Sequence, residues 1–414
     1  MPILNNNYTY IDLFAGIGGF RHAMNGFSNG QAQCLYASEI NDAAANIYEH
    51  YFHQRPLGDI RQVDPLQLGY PAPDVVCGGF PCQTFSKGGN QAGFKDSRGT
   101  LFREIVRIIE EYPKEQRPRI LILENVQNLL HHDKGETWKT IHHEIEGAGY
   151  NVIEKPIVAA PKDFGVPQLR NRAIILAVRD DIYDGPIDLQ IKRIRAGHSH
   201  LSSILETNLS DEDKKKYALD DRETHILDCW QDFMNRIPKE EWVIGFPIWS
   251  DEFGSKKSIK KLPQWKQDII MKNRNFYIAH QEQLSDWLRQ WHVRKDFTPT
   301  DRKFEWQAGT DMNSVYEGII QFRTSGIRVK RPTESPALVA MDHRPIYGPL
   351  RRYITPREAA NLQSFPPDFQ FGDDEHETYK QLGNAVNVVV IQSIFTLFVN
   401  FLNQKLGEQN HGNN

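Results

Sequence analysis

The sequence predicts an α/β fold in which a doubly wound, mostly parallel sheet carries a second, smaller inserted domain. Strand patterns alternate with helix patterns over residues 8–178, and a glycine-rich turn joins the first strand to the first helix. The alternation stops between about residues 180 and 370. A chain of 414 residues is long enough for two domains. We therefore expect residues 1–185 and 372–414 to form one domain and residues 186–371 to form the other.

The composition excludes several classes of protein. The formal net charge is −4 at pH 7, so a nucleic-acid partner would have to be held by a local basic patch. The four cysteines have neither metal-ligand spacing nor the pattern of a disulfide framework, which predicts no metal and suits a reducing compartment. Residues 1–10 lack a secretory signal, and the apolar run 388–402 is too short to span a bilayer. We expect a cytoplasmic protein without a membrane partner, and a buried helix at 388–402.

The first strand pattern, residues 8–13, runs into the turn Phe-Ala-Gly-Ile-Gly-Gly at 14–19, and a helix pattern follows. Such a turn lets a ligand approach the backbone at the carboxyl end of a parallel strand. A second strand pattern, residues 33–37, leads to Glu39, whose carboxylate is placed to hold ribose hydroxyls. Arg21 stands where the dinucleotide pattern has its third glycine, which favours an adenosyl ligand over NAD. A turn that serves packing alone is the alternative.

The remaining elements of this domain continue the alternation. We expect helices at 42–51, 101–111 and 138–146 and strands at 75–77, 120–123, 152–158 and 173–178. The apolar run 120–123 is typical of a buried parallel strand, and it delivers Glu124 and Asn125 to its carboxyl end. Because the carboxyl ends of parallel strands meet at one edge, Cys82, Glu124 and the glycine turn should gather there.

Cys82 follows a short strand pattern, two glycines and Pro81, and it precedes a glycine-rich loop. Proline fixes φ and glycine permits a close turn, so the thiol is aimed before a substrate arrives. This placement is typical of a nucleophile. The alternative is a small buried side chain, as most cysteines are. We expect that structural role for Cys34, Cys77 and Cys229, which lie inside strand or helix patterns.

Six motifs follow one another along nearly the whole chain outside residues 185–320. They are Phe14-Ala15-Gly16-Ile17-Gly18-Gly19, Pro81-Cys82, Glu124-Asn125-Val126, Gln168-Leu169-Arg170-Asn171-Arg172, Arg357-Glu358 with Leu362-Gln363-Ser364-Phe365-Pro366, and Gly383-Asn384-Ala385-Val386. Their identity and order resemble those of the DNA cytosine-5 methyltransferases of the bacterial restriction-modification type. The resemblance implies S-adenosylmethionine as methyl donor, no metal, double-stranded DNA as substrate and, by analogy, a separate restriction endonuclease as partner. We expect the chain to act as a monomer.

The resemblance assigns catalytic roles. Cys82, as thiolate, would add to carbon 6 of cytosine, and Glu124 would act as the acid at ring nitrogen 3. Arg172 would contact the base carbonyl and, with Arg170, favour the thiolate. Asn125, at the edge of the site, supports the assignment of Glu124. The alternatives are that Glu124 caps a neighbouring helix and that Arg170 forms a surface salt bridge.

The resemblance also assigns a binding site for S-adenosylmethionine. Its residues would be Phe14, Gly16, Gly18, Glu39, Asp59, Ile60, Pro81, Leu101 and Asn384. Glu39 would hold the ribose, with Asp59 and Ile60 near the adenine. Leu101 and Asn384 would close the methionine side. The alternatives are that Asp59 caps a helix and that Leu101 is a core residue.

A base inside a duplex must be flipped out before it can reach Cys82. Loop 83–99, which contains Ser86 and Arg98, is the predicted lid, because its glycines permit closure. Arg98 would hold a DNA phosphate and Ser86 would contact the DNA. A flexible surface loop without this role is the alternative.

The predicted insert carries the features expected of a target recognition domain. Seven of the eight tryptophans lie at 230–306, where most are expected to be core rather than platforms for bases. Residues 321–357 contain eight Lys and Arg against Glu334 and Asp342, an excess that fits phosphate contacts and groove reading. The candidates for DNA contact are Arg323, Arg328, Lys330, Arg331 and Arg344. A solvated basic face is the alternative for each.

Other classes fit the sequence less well. An amino-methylating DNA methyltransferase would need an Asp/Asn-Pro-Pro-aromatic motif, which does not follow the relevant strand. The RNA-methylating branch of the family carries a Cys-Phe-Thr tripeptide that this chain lacks. A catalytically silent DNA-binding relative would be expected to have lost Pro81-Cys82 or Glu124, and both are present. A dehydrogenase is disfavoured by Arg21 in the glycine turn.

Overall fold

The computed structural model describes residues 2–81, 101–194, 200–338 and 344–412. The chain divides into two units. The first comprises Met1–Ser199 and Ala359–Asn414, and the second comprises His200–Glu358, which lies within the predicted insert 186–371. Each unit has its own sheet and its own hydrophobic core.

The regular elements are numbered in chain order over the described residues. The strands are β1 Thr9–Leu13, β2 Gln33–Ser38, β3 Val75–Gly78, β4 Ile120–Val126, β5 Tyr150–Val152, β6 Ile157–Ala159, β7 Gln168–Leu169, β8 Arg172–Arg179, β9 Pro247–Trp249, β10 Lys303–Trp306, β11 Ile319–Arg323, β12 Gly326–Lys330, β13 Ser335–Pro336, β14 Ile346–Tyr347 and β15 Arg352–Tyr353. The helices are α1 Gly19–Ser28, α2 Asp42–Phe52, α3 Leu101–Glu110, α4 Glu136–Gly147, α5 Asp211–Tyr217, α6 Asp221–Arg236, α7 Gln264–Ala279, α8 Gln281–Gln290, α9 Val293–Asp296, α10 Pro356–Leu362, α11 Glu375–Asn384 and α12 Val388–Gly412.

Seven strands among the described residues form the sheet of the first unit, in the order β2-β1-β3-β4-β8-β5, with β6 also paired to β8. The pairs β1–β2, β1–β3 and β3–β4 are parallel, whereas β8 is antiparallel to β4, β5 and β6. Only β8 is therefore reversed within this described sheet, which confirms the predicted doubly wound, mostly parallel α/β fold. The strand order changes direction between β1 and β3. Such a switch point opens a crevice at the carboxyl ends of the strands.

The central strands of this sheet are buried on both faces. Val75, Val76 and Cys77 of β3 are fully buried, as is the apolar run 120–123 of β4. Helices that cover both faces of a parallel sheet require such unbroken apolar strands. On one face, α3 contributes residues at helical spacing, including Ile105 and Ile108, to the core.

The apolar run 388–402 lies in α12, whose packing makes it a core helix. Phe395 and Phe398 are fully buried, and the ring of Phe395 meets that of Phe27 on α1 edge to face, with centroids 4.9 Å apart. Among the described residues, one helical stretch, Glu375–Gln409, is long and apolar enough to cross a membrane. In its most apolar window, 61% is buried within the protein, as a core helix requires.

The second unit packs one face of its sheet on helices. The strand order is β15-β14-β11-β12-β10-β9, and the apolar residues of the central strands join a core with α6 and α8. Trp230 and Trp287 are fully buried there, and Trp230 stacks on Phe304 with centroids 4.8 Å apart. These tryptophans are core residues, as expected, whereas Trp265 is 61% exposed. The opposite face of the sheet carries the polar side chains of β10, β11 and β12.

Candidate active site

A cavity of about 630 Å³ lies in the first unit where the sheet changes direction, at the carboxyl ends of its strands. Its volume is within the usual range for small-molecule sites. The lining includes eight of the residues predicted to bind the cofactor: Phe14, Gly16, Glu39, Asp59, Ile60, Pro81, Leu101 and Asn384. It also includes three of the predicted catalytic residues, Glu124, Arg170 and Arg172. The structure thus brings most of the predicted site residues to one cavity.

The turn after β1 forms one wall of this cavity. Gly16 has φ +54°, and a Cβ there would point into open space, so a ligand can approach the backbone closely. Gly18, although predicted to bind the cofactor, is not among the lining residues, and a Cβ there would overlap the ring of Phe52. Gly19 allows close packing on the last motif, because its Cβ would lie 2.8 Å from the carbonyl oxygen of Val386.

Glu39 follows β2 and is held by backbone groups. Its Oε2 accepts the Gly16 N–H at 2.8 Å and its Oε1 accepts the Asn41 N–H at 2.7 Å. Burial raises the pKa of Glu39, and these N–H donors oppose that rise. Each carboxylate oxygen keeps a further lone pair, so the group can accept hydrogen bonds from two hydroxyls.

Asp59 and Leu101 each have two structural roles. Asp59 lines the cavity and also caps the short helix Ile60–Gln62, accepting the Arg61 N–H at 3.0 Å. Its hydrogen bond and ion pair with the Arg61 guanidinium lower the pKa of Asp59. Leu101 lines the cavity and packs against the core of the sheet. Asp59 thus caps a helix and Leu101 packs in the core, as the alternatives from the sequence proposed, and both residues also line the cavity.

Glu124 and Arg172 form an ion pair inside the cavity. Val126 and Arg172 are opposite each other in the β4–β8 ladder, so Glu124 is a diagonal neighbour of Arg172 on the same face. The Arg172 Nε lies 2.6 Å from the Glu124 Oε1, and the two side chains are 20% and 11% exposed. Glu124 does not cap the following helix, Gln127–Leu130, which begins after Val126 without a side-chain cap.

Asn125 and Arg170 hold backbone next to the cavity. Asn125 is buried outside the lining, and its Nδ2 donates to the Phe80 carbonyl at 3.2 Å. That contact fixes the chain one residue before Pro81. Arg170 is only 4% exposed, so it is not a surface residue, and its Nη2 donates to the Ala385 carbonyl at 3.1 Å.

Cys82, Ser86 and Arg98 lie outside the described residues, so their roles stay predictions. Three other thiols are described, and Cys34, Cys77 and Cys229 are all buried. Burial raises the pKa of Cys34 to about 12 and also raises the pKa of Cys77 and of Cys229. These cysteines are structural, as expected. Within the part of the chain that the structure describes, no cluster of metal-ligating side chains occurs.

Sequence reasoning missed several lining residues, among them Asn41, Lys380 and Gln381. Asn41 caps α2 through a hydrogen bond from the Ala44 N–H at 2.9 Å, and its Oδ1 also accepts from the Gln381 Nε2 at 3.0 Å. The signal for Lys380 was its spacing, because residues i and i+4 share a helix face and Asn384 was already assigned to the site.

The basic residues of the second unit divide into two groups. The ladder between β11 and β12 places Arg323, Arg328 and Lys330 on one side of the sheet, which is called the basic face below. Burial lowers the pKa of Lys330, and the neighbouring Arg328 and Arg323 lower it further. Arg331 instead pairs with Asp311, and Arg344 lies over a ring of the same unit. DNA contact by all five stays a prediction.

Comparison with known proteins identifies the family. The model of the C-5 cytosine-specific DNA methylase family matches residues 8–399. The chain is 34% identical to the Type II methyltransferase M.AluI of Cellulosimicrobium cellulans, over 95% of this chain and 92% of that protein. It is 32% identical to M.HgiCI of Herpetosiphon aurantiacus, over 93% of this chain and 96% of the relative.

Solved structures agree on the fold. The chain resembles the methyltransferase EhMeth of Entamoeba histolytica with a TM-score of 0.54 and 16% identity, over 96% of this chain and 99% of that one. It resembles the Dnmt2 methyltransferase of S. pombe with a TM-score of 0.52 and 18% identity, over the same shares. At these identities the likeness concerns the fold alone. The family match over residues 8–399 confirms the identification from the motifs: the chain belongs to the C-5 cytosine-specific DNA methylases, enzymes that transfer a methyl group to carbon 5 of cytosine in DNA.

Proposed function

We propose that this enzyme methylates one cytosine within a specific double-stranded DNA sequence, as the modification component of a restriction-modification pair. The observation that carries the proposal is the Glu124–Arg172 pair, with 2.6 Å between its charged atoms, in a cavity that also includes Pro81. The names of the relatives, Type II methyltransferases, support the restriction-modification role. A separate restriction endonuclease would cut the same sequence when it is unmethylated.

The cavity fits S-adenosylmethionine. Its open wall at Gly16 and its volume of about 630 Å³ accommodate a nucleoside with an amino-acid side arm. The Glu39 carboxylate is suited to the two ribose hydroxyls, and Ile60 supplies an apolar surface for the adenine ring. Leu101 and Asn384 would bind the methionine part. When bound, S-adenosylmethionine supplies the methyl group.

The residues around Pro81 would activate the cytosine ring. The Cys82 thiolate adds to carbon 6, and the electron pair of the 5,6 double bond moves onto carbon 5 and, through carbon 4, toward nitrogen 3, which Glu124 hydrogen-bonds or protonates. Carbon 5 would become nucleophilic, and S-adenosylmethionine, when bound, would supply the methyl group there and be left as its demethylated thioether, while Glu124 would take back any proton given to nitrogen 3. A base, such as water, then removes the carbon 5 proton, and the thiolate leaves as the double bond re-forms.

Arg172 serves this chemistry through its charge. Its Nε holds Glu124 at the cavity wall and its Nη1 donates to the Asn171 carbonyl at 3.0 Å, so its Nη2 group is left for the carbonyl oxygen of the base. Arg170, held by the Ala385 carbonyl, adds a second positive charge beside the site, and both charges favour the thiolate form of Cys82. Asn125 would keep the segment before Cys82 in place through the Phe80 carbonyl.

The DNA would be bound by two regions of the chain. Loop 83–99, with Ser86 and Arg98, is proposed to close over the flipped base and a phosphate. The basic face, Arg323, Arg328 and Lys330, is proposed to contact the duplex as the core of a target recognition domain. The cations of the basic face are about half-buried and have few carboxylates nearby, so they attract DNA phosphates.

Bisulfite sequencing of plasmid DNA from cells that express the enzyme tests this function. We expect 5-methylcytosine at one position of one short sequence, and unmodified DNA when Cys82→Ala is expressed. The purified variant should still bind duplex DNA, because the thiol contributes little to affinity. Plasmid DNA without any modified cytosine, or methylation retained by Cys82→Ala, would contradict the proposal.

The covalent step and the oligomeric state have separate tests. DNA containing 5-fluorocytosine should trap the wild-type enzyme in a denaturation-resistant complex, because fluorine cannot leave carbon 5 as a proton. Cys82→Ala should give no such complex.

Light scattering should give a mass near the 47.8 kDa of one chain, and twice that mass would contradict a monomer.

A further inference from the structure

One member of the basic face, Arg328, is held in a fixed orientation. Strand register places Arg328 between Glu305 of β10 and Gln321 of β11. The Arg328 Nε and Nη2 both donate to the Glu305 Oε2, at 2.9 Å and 2.6 Å. The other carboxylate oxygen of Glu305 accepts from the Gln307 Nε2, so the carboxylate is itself held. The Nε edge of this guanidinium is therefore occupied within the protein.

The rest of the guanidinium is left for another acceptor. Arginine has five N–H donors in a planar fork, and two of them face Glu305. The pair of parallel N–H groups on Nη1 and Nη2 matches two acceptors on one plane. The O6 and N7 atoms of guanine in the major groove present that arrangement. Because the ion pair limits the rotamers of Arg328, less conformational entropy is lost when a base binds.

Charge explains why the partner would be a nucleic acid. Arg323 and Lys330 flank Arg328 on the same face, and Glu305 is the carboxylate bonded within this group. Burial lowers the pKa of Arg323 and of Lys330, and the charge of Arg328 lowers both further. An anion bound at this face would relieve that repulsion. DNA supplies phosphates for the flanking cations and a base edge for the held guanidinium.

We propose that Arg328 reads a guanine of the recognised DNA sequence through Nη1 and Nη2, and that Glu305 is the positioning residue that orients it. Arg323 and Lys330 contact phosphates beside that base. The proposal rests on the function proposed above and adds one feature of the substrate, a guanine in the major groove.

The test compares variants on a panel of duplexes. The parent duplex carries the sequence found by bisulfite sequencing, and the others each change one of its base pairs. Methyl transfer is measured as kcat/KM for the wild-type enzyme, Arg328→Ala, Arg328→Lys, Glu305→Gln and the double variant. Arg323→Ala is the matched control, because it removes the same side-chain type from the same face.

We expect Arg328→Ala to lose discrimination at one G·C pair by about 5- to 150-fold while keeping discrimination elsewhere. Replacing that guanine by 7-deazaguanine removes N7, so it should slow the wild-type enzyme and leave Arg328→Ala unaffected. Arg328→Lys keeps the charge without the fork and should lose discrimination at the same pair. Glu305→Gln should weaken discrimination there, with less than additive loss in the double variant. Arg323→Ala should weaken all duplexes alike.

If the enzyme methylates the parent duplex, two results would overturn the assignment of Arg328 to a guanine without contradicting the proposed function. One is equal weakening of all duplexes by Arg328→Ala, which describes a phosphate contact. The other is full discrimination retained by Arg328→Lys together with indifference of the wild-type enzyme to 7-deazaguanine. If the wild-type enzyme methylates no duplex, the proposed function is wrong and the guanine assignment is rejected with it.

Discussion

The cavity of the first unit and the basic face of the second are built in different ways. Around the cavity, backbone groups hold the side chains: Glu39 accepts two backbone N–H groups, and Asn125 donates to a carbonyl. On the basic face, side chains hold one another, as Glu305 holds Arg328 across two strands. Side chains that are held by backbone groups are hard to replace without moving the backbone. Side chains that hold one another across neighbouring strands can be exchanged by single substitutions. We therefore expect changes in the cavity to affect methyl transfer on every DNA, and changes on the face to affect which DNA is used.

The largest effect in the cavity is expected from Glu124→Gln. An amide cannot act as the acid at nitrogen 3 and keeps no charge for Arg172, so kcat should fall about 100- to 10,000-fold. The loss should be equal on every duplex, because Glu124 lies in the cavity rather than on the basic face. Rapid-quench kinetics with saturating cofactor and DNA measure it.

The control for this variant is Glu144→Gln on α4, which breaks a partly exposed ion pair with Arg103 on α3 and should leave kcat unchanged. If Glu124→Gln instead altered the preference between duplexes, the separation between cavity and face would not hold.

A smaller effect is expected from Glu39→Gln, which tests the cofactor side of the cavity. The amide would point an N–H at one of the two backbone N–H groups that the carboxylate now accepts. Loss of a charged acceptor should weaken binding of S-adenosylmethionine about 10- to 150-fold. Isothermal titration calorimetry measures this affinity.

Glu49→Gln, on the exposed side of α2 in an ion pair with Arg55, is the matched control. Cofactor affinity should match wild type in that variant. Unchanged cofactor affinity in Glu39→Gln would place the ribose elsewhere in the cavity.

The two units also treat a buried carboxylate differently. Glu358 of the second unit is fully buried and is paired with Arg352 at 2.6 Å. Asp12 of β1 is fully buried as well, and burial raises its pKa from 3.8 to about 8. A folded-state pKa above the unfolded one means that the folded state binds more protons, so stability falls as pH rises between about 4 and 8.

Asp12→Asn should remove this pH dependence, because an amide resembles the protonated carboxyl. From pH 6 to pH 7, the free energy of unfolding of the wild-type enzyme should change by about 1.4 kcal/mol in the destabilising direction relative to that of the variant. Urea unfolding at the two pH values measures it. Asp42→Asn, whose side chain is 91% exposed, should behave as wild type. A drop of equal size in Asp12→Asn would contradict the assignment.

The difference between the two regions also explains what the sequence could predict. Glu124 was placed at the edge of the sheet because an unbroken apolar strand ends in polar residues, a pattern local to the chain, and its catalytic role was assigned through the motif resemblance. Glu39 followed from the same rule applied to the second strand, whereas Asp59, Ile60, Leu101 and Asn384 were assigned only through the resemblance of the motifs. The Glu305–Arg328 contact depends on parallel pairing of β10 with β12, which no local pattern encodes. Gly18 was assigned to the cavity through its motif, but packing on Phe52 accounts for its lack of a side chain.

The smallest effect is expected on the basic face from Lys330→Ala. Whether binding weakens equally on all duplexes or only on some distinguishes a phosphate contact from base reading. Removing one phosphate contact should lower the slope of log affinity against log salt by about 1 for duplex DNA. Binding at moderate salt should weaken by about the same factor on every duplex of the panel. Fluorescence anisotropy over a salt series measures both quantities.

Lys139→Ala is the control, because this lysine is 71% exposed on α4 in an ion pair with Glu136 and should leave the salt slope unchanged. A loss of discrimination at a single base pair in Lys330→Ala would make Lys330 a base-reading residue. In that case the assignment of Lys330 to a DNA phosphate would be wrong, and base reading on this face would not depend on a side chain being held in one orientation, as Glu305 holds Arg328.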